Sequence, residues 1–264
     1  MKIAVLVKLV PSSEARIRIS PDGRSVDPAD VEFVANPYDE YAVEAALQLK
    51  EKFGGEVVAI SLGADRVAEM LRKSCLALGV DRAVLVRDAA LEGAAGDPLA
   101  GARALAEACR RETPDLVLAG KLAIDFEFSA TGPMVAGLLG WPHVSVVSRL
   151  EPVSEKTFLL HREIEGAMEK IEVDLPAVVT ANKGLNEPRY ATLKGIMAAK
   201  KKPLDTIDLA ALGLSAADVA PRARAVSLEP PPVRAEAGVI LKGDSPAETA
   251  AELVRLLREV ARVI

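Results

Sequence analysis

Short apolar runs alternate with longer amphipathic stretches over the first 150 residues. This rhythm constrains the chain more than any other feature. A short apolar run suits a strand buried on both faces, and a stretch with apolar residues every three or four positions suits a covering helix. Strand and helix in regular alternation predict an α/β fold, a mostly parallel, Rossmann-like sheet with helices on both faces.

Lys2 to Leu9 reads as the first strand, and Pro21-Asp22-Gly23 as the turn of a small hairpin over Ile17 to Val26. Asn36-Pro37 opens a helix. Asn suits the cap, Pro suits the first helical position, and Asp39 and Glu40 suit the positive end of the dipole. Ala42, Val43, Ala46, Leu49 and Phe53 give that helix its apolar face, and Gly54-Gly55 stops it. Strands are then expected at 56–61, 82–86, 115–119 and about 143–147. Helices are expected between them at 65–78, from Asp97-Pro98 to about Arg111, and at about 131–139.

After Leu150 the rhythm changes. Thr157 to Glu163 and Glu169 to Asp174 suit antiparallel strands around Gly166, and Ala177 to Thr180 a further apolar strand. Residues 203 to about 243 contain Pro230-Pro231-Pro232 and little periodicity, which suits an extended arm laid over another surface. Ser245-Pro246-Ala247-Glu248 is a capping box for a last helix, whose Leu253, Val254, Leu257, Val260 and Ala261 share one side. The expected organisation is an α/β nucleotide-binding domain over 1–202 and a C-terminal arm and helix over 203–264.

Composition narrows the function classes. Two Cys and two His exclude a disulfide scaffold, a cysteine zinc cluster and a multi-histidine metal site. A net charge of −5 with 3% aromatic residues argues against a general nucleic-acid binder. Cys75 and Cys109 fall on helices as small apolar groups, and His143 and His161 suit satisfied positions near strands. Lys8 interrupts the N-terminal apolar run, which therefore reads as a strand and not a signal peptide. No run approaches the ~20 apolar residues of a membrane helix, so a soluble, cytoplasmic protein is expected.

Ligands of open α/β sheets bind beyond the carboxyl ends of the strands. The strand ends at Leu6, at Leu62 and at Gly120-Lys121 therefore come first. The last runs through Leu122, Ala123, Ile124, Asp125, Phe126, Glu127, Phe128, Ser129 and Ala130 to Thr131-Gly132, where a helix starts. Free N–H groups at a helix start suit a phosphate, although an ordinary βα loop with a Thr cap has the same spacing. Neither GxxxxGK[ST], GxGxxG nor GxSxG occurs. The segment 183–200 reads as a Pro-bearing loop leading to a short amphipathic helix with Leu193, Ile196 and Met197 close together. Leu193 is either a core residue or an exposed docking anchor.

That segment, VVTANKGLNEPRYATLKGIMAAKKK, closely resembles the signature of the electron transfer flavoprotein β subunit. VLVKLV, NPYDEYAVEAA, GKLAIDFEFSATG, TGPMVAGLLGWP and REIEGAMEKIEVDLPAVVTA extend the resemblance along nearly the whole chain. It implies one subunit of a heterodimeric electron carrier with no bond chemistry of its own. In that family an α subunit holds most of the FAD, and the β subunit buries a structural AMP and embraces α with its C-terminal arm. Carried over, the AMP pocket comprises Leu6, Asn36, Pro37, Tyr38, Asp39, Leu62 and the loop from Lys121 to Gly132, with Tyr38 also near the flavin edge. Glu163 matches a carboxylate that pairs with an α-subunit arginine. Leu193 matches the anchor that enters a pocket on acyl-CoA dehydrogenases, with Ile196 and Met197 beside it. The resemblance also implies hand-over of electrons to electron transfer flavoprotein:quinone oxidoreductase, and a place in fatty acid oxidation.

Three positions depart from the family pattern. Leu122 replaces the usual Gln, Phe126 and Phe128 interrupt an Asp-rich stretch, and Ser13 stands where an aromatic often lies near the flavin. An electron-bifurcating branch carries a second FAD in place of AMP. Here Asp125-Phe126-Glu127-Phe128 and Trp141-Pro142 favour AMP. A stand-alone adenine-nucleotide-binding regulator is the alternative outside the family.

Overall fold

The computed structural model describes residues 1–92, 96–232 and 238–264. The chain divides into two compact units, Met1–Leu228 and Glu229–Ile264.

In the first unit β1 (Lys2–Leu6) leads through two short strands, β2 (Leu9–Pro11) and β3 (Phe33–Ala35), to α1 (Pro37–Phe53). The expected single strand over 2–9 thus splits. Lys8 lies at the break, and Leu9–Pro11 pairs antiparallel with Phe33–Ala35. The expected hairpin over 17–26 is reduced to one antiparallel bridge, Ile19 to Val26, with Asp22 holding its turn. Next come β4 (Glu56–Leu62), α2 (Arg66–Ser74), a 3-10 turn at Leu76–Leu78, β5 (Arg82–Val86), the short α3 (Ala89–Glu92), α4 (Pro98–Glu112) and β6 (Leu116–Gly120). α5 (Thr131–Leu139), β7 (His143–Pro152), β8 (Thr157–Ile164), β9 (Ala167–Asp174), β10 (Ala177–Ala181), α6 (Leu193–Ala199) and β11 (Leu204–Ile207) complete it.

Among the described residues, nine strands form one sheet in the order β11-β5-β4-β1-β6-β10-β7-β8-β9. Pairing is parallel from β11 to β7 and antiparallel across β7-β8-β9. β7 serves both parts: its first half pairs with β10, its second with β8. The change falls at Val146, whose φ is 59° and whose N–H donates to Thr180 Oγ1 at 3.2 Å. The apolar strand expected at 177–180 is thus inserted between β6 and β7.

Each face of the sheet carries its own core. α1 and α2 pack over Ile3, Val5, Val57, Ala59 and Leu118, while α4 and α5 pack over Ala4, Leu6, Val58, Ile60 and Val117. Alternate residues of one strand enter opposite cores, which is why these strands are apolar throughout. Cys75 and Cys109 are fully buried among these apolar groups.

The segment expected to leave the domain at 203 stays in the first unit up to Leu228. Residues 204–207 form β11 against β5, and Leu209 and Val219 enter the α4 core. Asp97, the cap of α4, also accepts the N–H groups of Arg222 and Ala223. Of the stretch expected to be irregular, residues 233–237 lie outside the described residues. In the second unit α7 (Pro246–Glu259) starts as expected: Ser245 Oγ accepts from Glu248 N–H, while the Glu248 carboxylate accepts from Asp244 N–H. Leu253, Val254 and Val260 are exposed.

Candidate functional site

The chain runs outward from β1 through β4 to β5, then returns to place β6 on the other side of β1. That reversal opens a crevice at the carboxyl ends of β1 and β6, the switch point where α/β proteins bind ligands. Leu62, Leu6 and Gly120 end three neighbouring strands there.

Two side chains from the start of α1 build the floor. Asn36 occupies the N-cap position but makes no cap hydrogen bond. Its amide donates to Asp39 Oδ1 at 2.9 Å and to the Leu122 carbonyl at 2.8 Å, and its Oδ1 accepts from Ile124 N–H at 3.2 Å. The expected cap is thus a cross-link between helix and loop. Asp39 is buried, and it accepts from Lys8 N–H at 2.8 Å and Gly120 N–H at 2.9 Å as well as from Asn36. Burial pushes its carboxyl up to about 7, although all three donors pull it down. Gly120 has no space for a side chain. A Cβ there would lie 2.4 Å from Asp39 Oδ1 and 2.7 Å from the Tyr38 carbonyl carbon.

The loop above the floor carries two aromatic rings and charges of both signs. Lys8 Nζ lies 2.6 Å from Asp125 Oδ2 and 5.1 Å from the Phe126 ring centroid, and Phe126 stacks on Phe128 at 5.4 Å. Lys121 Nζ lies 4.9 Å from the Tyr38 ring centroid. Glu127 and Ser129 take left-handed backbone, with φ of 53° and 52°. Ala130, and not Thr131, is the cap of α5, and no side chain caps it. A Cβ on the buried Gly132 would lie 2.4 Å from Thr180 Cγ2.

The residues expected to form a nucleotide pocket thus lie at the carboxyl ends of β4 and β1, at the start of α1, and in the loop that joins β6 to α5. Glu163 lies toward the same end of the sheet: it is exposed near the end of β8 and accepts from Asn182 Nδ2 at 2.9 Å, just after β10. Leu193, Ile196 and Met197 lie elsewhere, on α6 against the 3-10 turn at 76–78 and α2. Leu193 is 79% exposed and Tyr190 is 94% exposed. Sequence reasoning missed Lys8 as a site residue, although an isolated Lys in an apolar run was a signal. It also missed Asn182, the donor to Glu163, which no local pattern marks.

Fold and site define a Rossmann-like α/β protein with a loop-covered switch point at the carboxyl ends of β1 and β6. The family model described as the electron transfer flavoprotein domain matches residues 25–212. The chain is 40% identical over 266 residues to "Electron transfer flavoprotein subunit beta" of Bacillus subtilis, covering 100% of both chains. It is 42% identical over 264 residues to the protein of the same name from Sus scrofa, covering 100% of this chain and 99% of that one. The Methylophilus methylotrophus protein of that name is 43% identical over 224 residues, 83% of each chain. The chain belongs to the electron transfer flavoprotein β-subunit family, whose role is electron transport. Among the described residues, no helix is long and apolar enough to cross a membrane.

Proposed function

We propose that this chain is the β subunit of a heterodimeric electron carrier and binds one AMP in the switch-point crevice. It helps enclose an FAD held mainly by an α subunit, which its C-terminal segment embraces. The carrier accepts electrons from flavin dehydrogenases such as acyl-CoA dehydrogenases and passes them to electron transfer flavoprotein:quinone oxidoreductase. The observation that carries the reading is the crevice itself. Lys121, the uncapped first turn of α5, and Lys8 with its Asp125 partner flank one loop; the first two are donors that suit a phosphate. Asn36 and Asp39 hold that loop against α1, so the donors are in place before the ligand arrives.

FAD, when bound, supplies the electron chemistry. This chain's residues bind, orient and shield. The Tyr38 ring beside Lys121 offers an apolar face at the crevice mouth. Acid extraction and chromatography of the complex co-expressed with its α subunit should yield one AMP and one FAD per heterodimer. Two FAD and no AMP would assign the crevice to a second flavin.

Glu163 is the second element of the reading. It is exposed, and Asn182 holds one of its carboxylate oxygens, leaving the group available to an α-subunit arginine. Glu163→Ala should leave the melting temperature nearly unchanged. It should weaken the productive flavin orientation by about 1–3 kcal/mol, seen as slower reduction in rapid mixing with a dehydrogenase. Wild-type reduction kinetics in the variant would reject this role.

A further inference from the structure

Residues 182–192 form no helix or strand, yet the segment is fixed to α1. Asn186 Nδ2 donates to the Tyr41 carbonyl at 2.9 Å. Arg189 then makes a two-carboxylate clamp. Its Nε and Nη2 donate to the two oxygens of Glu44 at 2.7 and 2.9 Å, and its backbone N–H donates to Glu44 Oε2 at 3.3 Å. Its Nη1 and Nη2 donate to the two oxygens of Glu51 at 2.5 and 3.2 Å. Glu44 is 4% exposed, and its carboxylate is met by this guanidinium and by Gln48 Nε2 at 2.8 Å. Glu44 and Glu51 stand two turns apart on one face of α1, and their side chains converge on the one guanidinium.

The far end of α6 is held as firmly. Arg72 Nη1 donates to the Ala199 carbonyl at 2.8 Å, and Lys202 Nζ donates to the Leu76 and Val80 carbonyls at 3.0 and 2.6 Å. Gly195 lets the helix touch its support: a Cβ there would lie 2.3 Å from the Ala77 carbonyl oxygen. Between these two clamps Leu193, Ile196 and Met197 remain exposed. An exposed apolar trio held at both ends is what a preorganised docking element requires, because ordering a loose segment opposes association.

We propose that Arg189 is a positioning residue for dehydrogenase docking: through Glu44 and Glu51 it fixes on α1 the segment that presents Leu193. This rests on the docking role given to Leu193 above. It adds that α1 serves both sites, its first turn flooring the crevice and its later turns holding the docking segment.

The test is a double-mutant cycle on the α/β complex, using the source organism's acyl-CoA dehydrogenase and its acyl-CoA as reductant. Arg189→Gln should raise the KM for the dehydrogenase-coupled reaction roughly three- to ten-fold with kcat nearly unchanged, and reduction by dithionite should be normal. Arg189→Lys, which keeps a single-point contact, should recover part of the loss. In the Leu193→Ala background the same Arg189→Gln change should add little, because the two residues act through one contact. An equal rise in KM in both backgrounds would overturn the proposal. A raised KM in Leu193→Ala with none in Arg189→Gln would overturn it and leave the docking role standing. No change in Leu193→Ala would remove the docking role itself. If Arg189→Gln fails to fold, Glu51→Gln removes only the exposed half of the clamp and should give a smaller rise with the same non-additivity.

Discussion

Leu193→Ala should slow electron transfer from an acyl-CoA dehydrogenase by about ten-fold or more, while flavin content and melting temperature stay at wild-type values. A Leu side chain buried in a partner's pocket contributes about 1.5–3 kcal/mol, and each 1.4 kcal/mol is ten-fold in association. Truncation would remove most of that, and the effect should appear in KM. The alternative expectation, a core Leu193, requires a cavity costing about 2–5 kcal/mol on truncation. At 79% exposure the side chain leaves no such cavity. Dithionite needs no docking and should reduce the flavin at the normal rate. A variant with a lowered melting temperature and proportionate loss of every activity would reject the docking role.

Asp39→Asn should strip the crevice of its nucleotide and destabilise the fold. The carboxylate faces three N–H donors, from Lys8, Gly120 and Asn36. An amide of the same shape replaces one oxygen by an NH2, which cannot accept from its donor, whereas both oxygens of Asp39 can accept whether or not the group holds a proton. A buried donor left unpaired costs about 1–3 kcal/mol, which lowers the melting temperature of a domain this size by several degrees. The pH dependence gives a second signature. The Asp39 pKa rises from 3.8 to about 7 on folding, so the native state holds a proton that the unfolded chain releases. Its contribution to stability is therefore full below about pH 4 and is lost as pH rises through 7. The wild-type advantage over Asp39→Asn, measured by thermal denaturation, should shrink across that window. A constant advantage would reject the titration, and an unchanged melting temperature with full AMP content would reject the cradle.

The parallel half of the sheet was legible because its signals are local. α1 and α5 begin where Pro37 and Thr131 suggest, and the strands are apolar because both faces are covered. The position of β10 was not legible. An apolar strand following a hairpin reads as its neighbour, and only the packing of the whole sheet places it between β6 and β7. β11 was hidden for the opposite reason: Leu204–Ile207 is short, sits beside Pro203 and lies at the sheet edge, so it lacks a buried strand's pattern. At the site, the strand ends and the loop were readable from the switch-point rule. The work of Asn36 was not. Its sequence position suits a cap, and the choice of the Leu122 carbonyl and Ile124 N–H over the helix start depends on a loop 86 residues away.

The insertion of β10 also sets an order of assembly during synthesis. Before residues 177–181 are made, nothing joins β6 to β7, and the sides of both strands that β10 covers have no partner. Open edges invite pairing with other chains. The strand that joins the halves is followed directly by the segment bearing Leu193. Leu193 is therefore made only after the strand that joins the two parts of the sheet, and before β11 completes its far side.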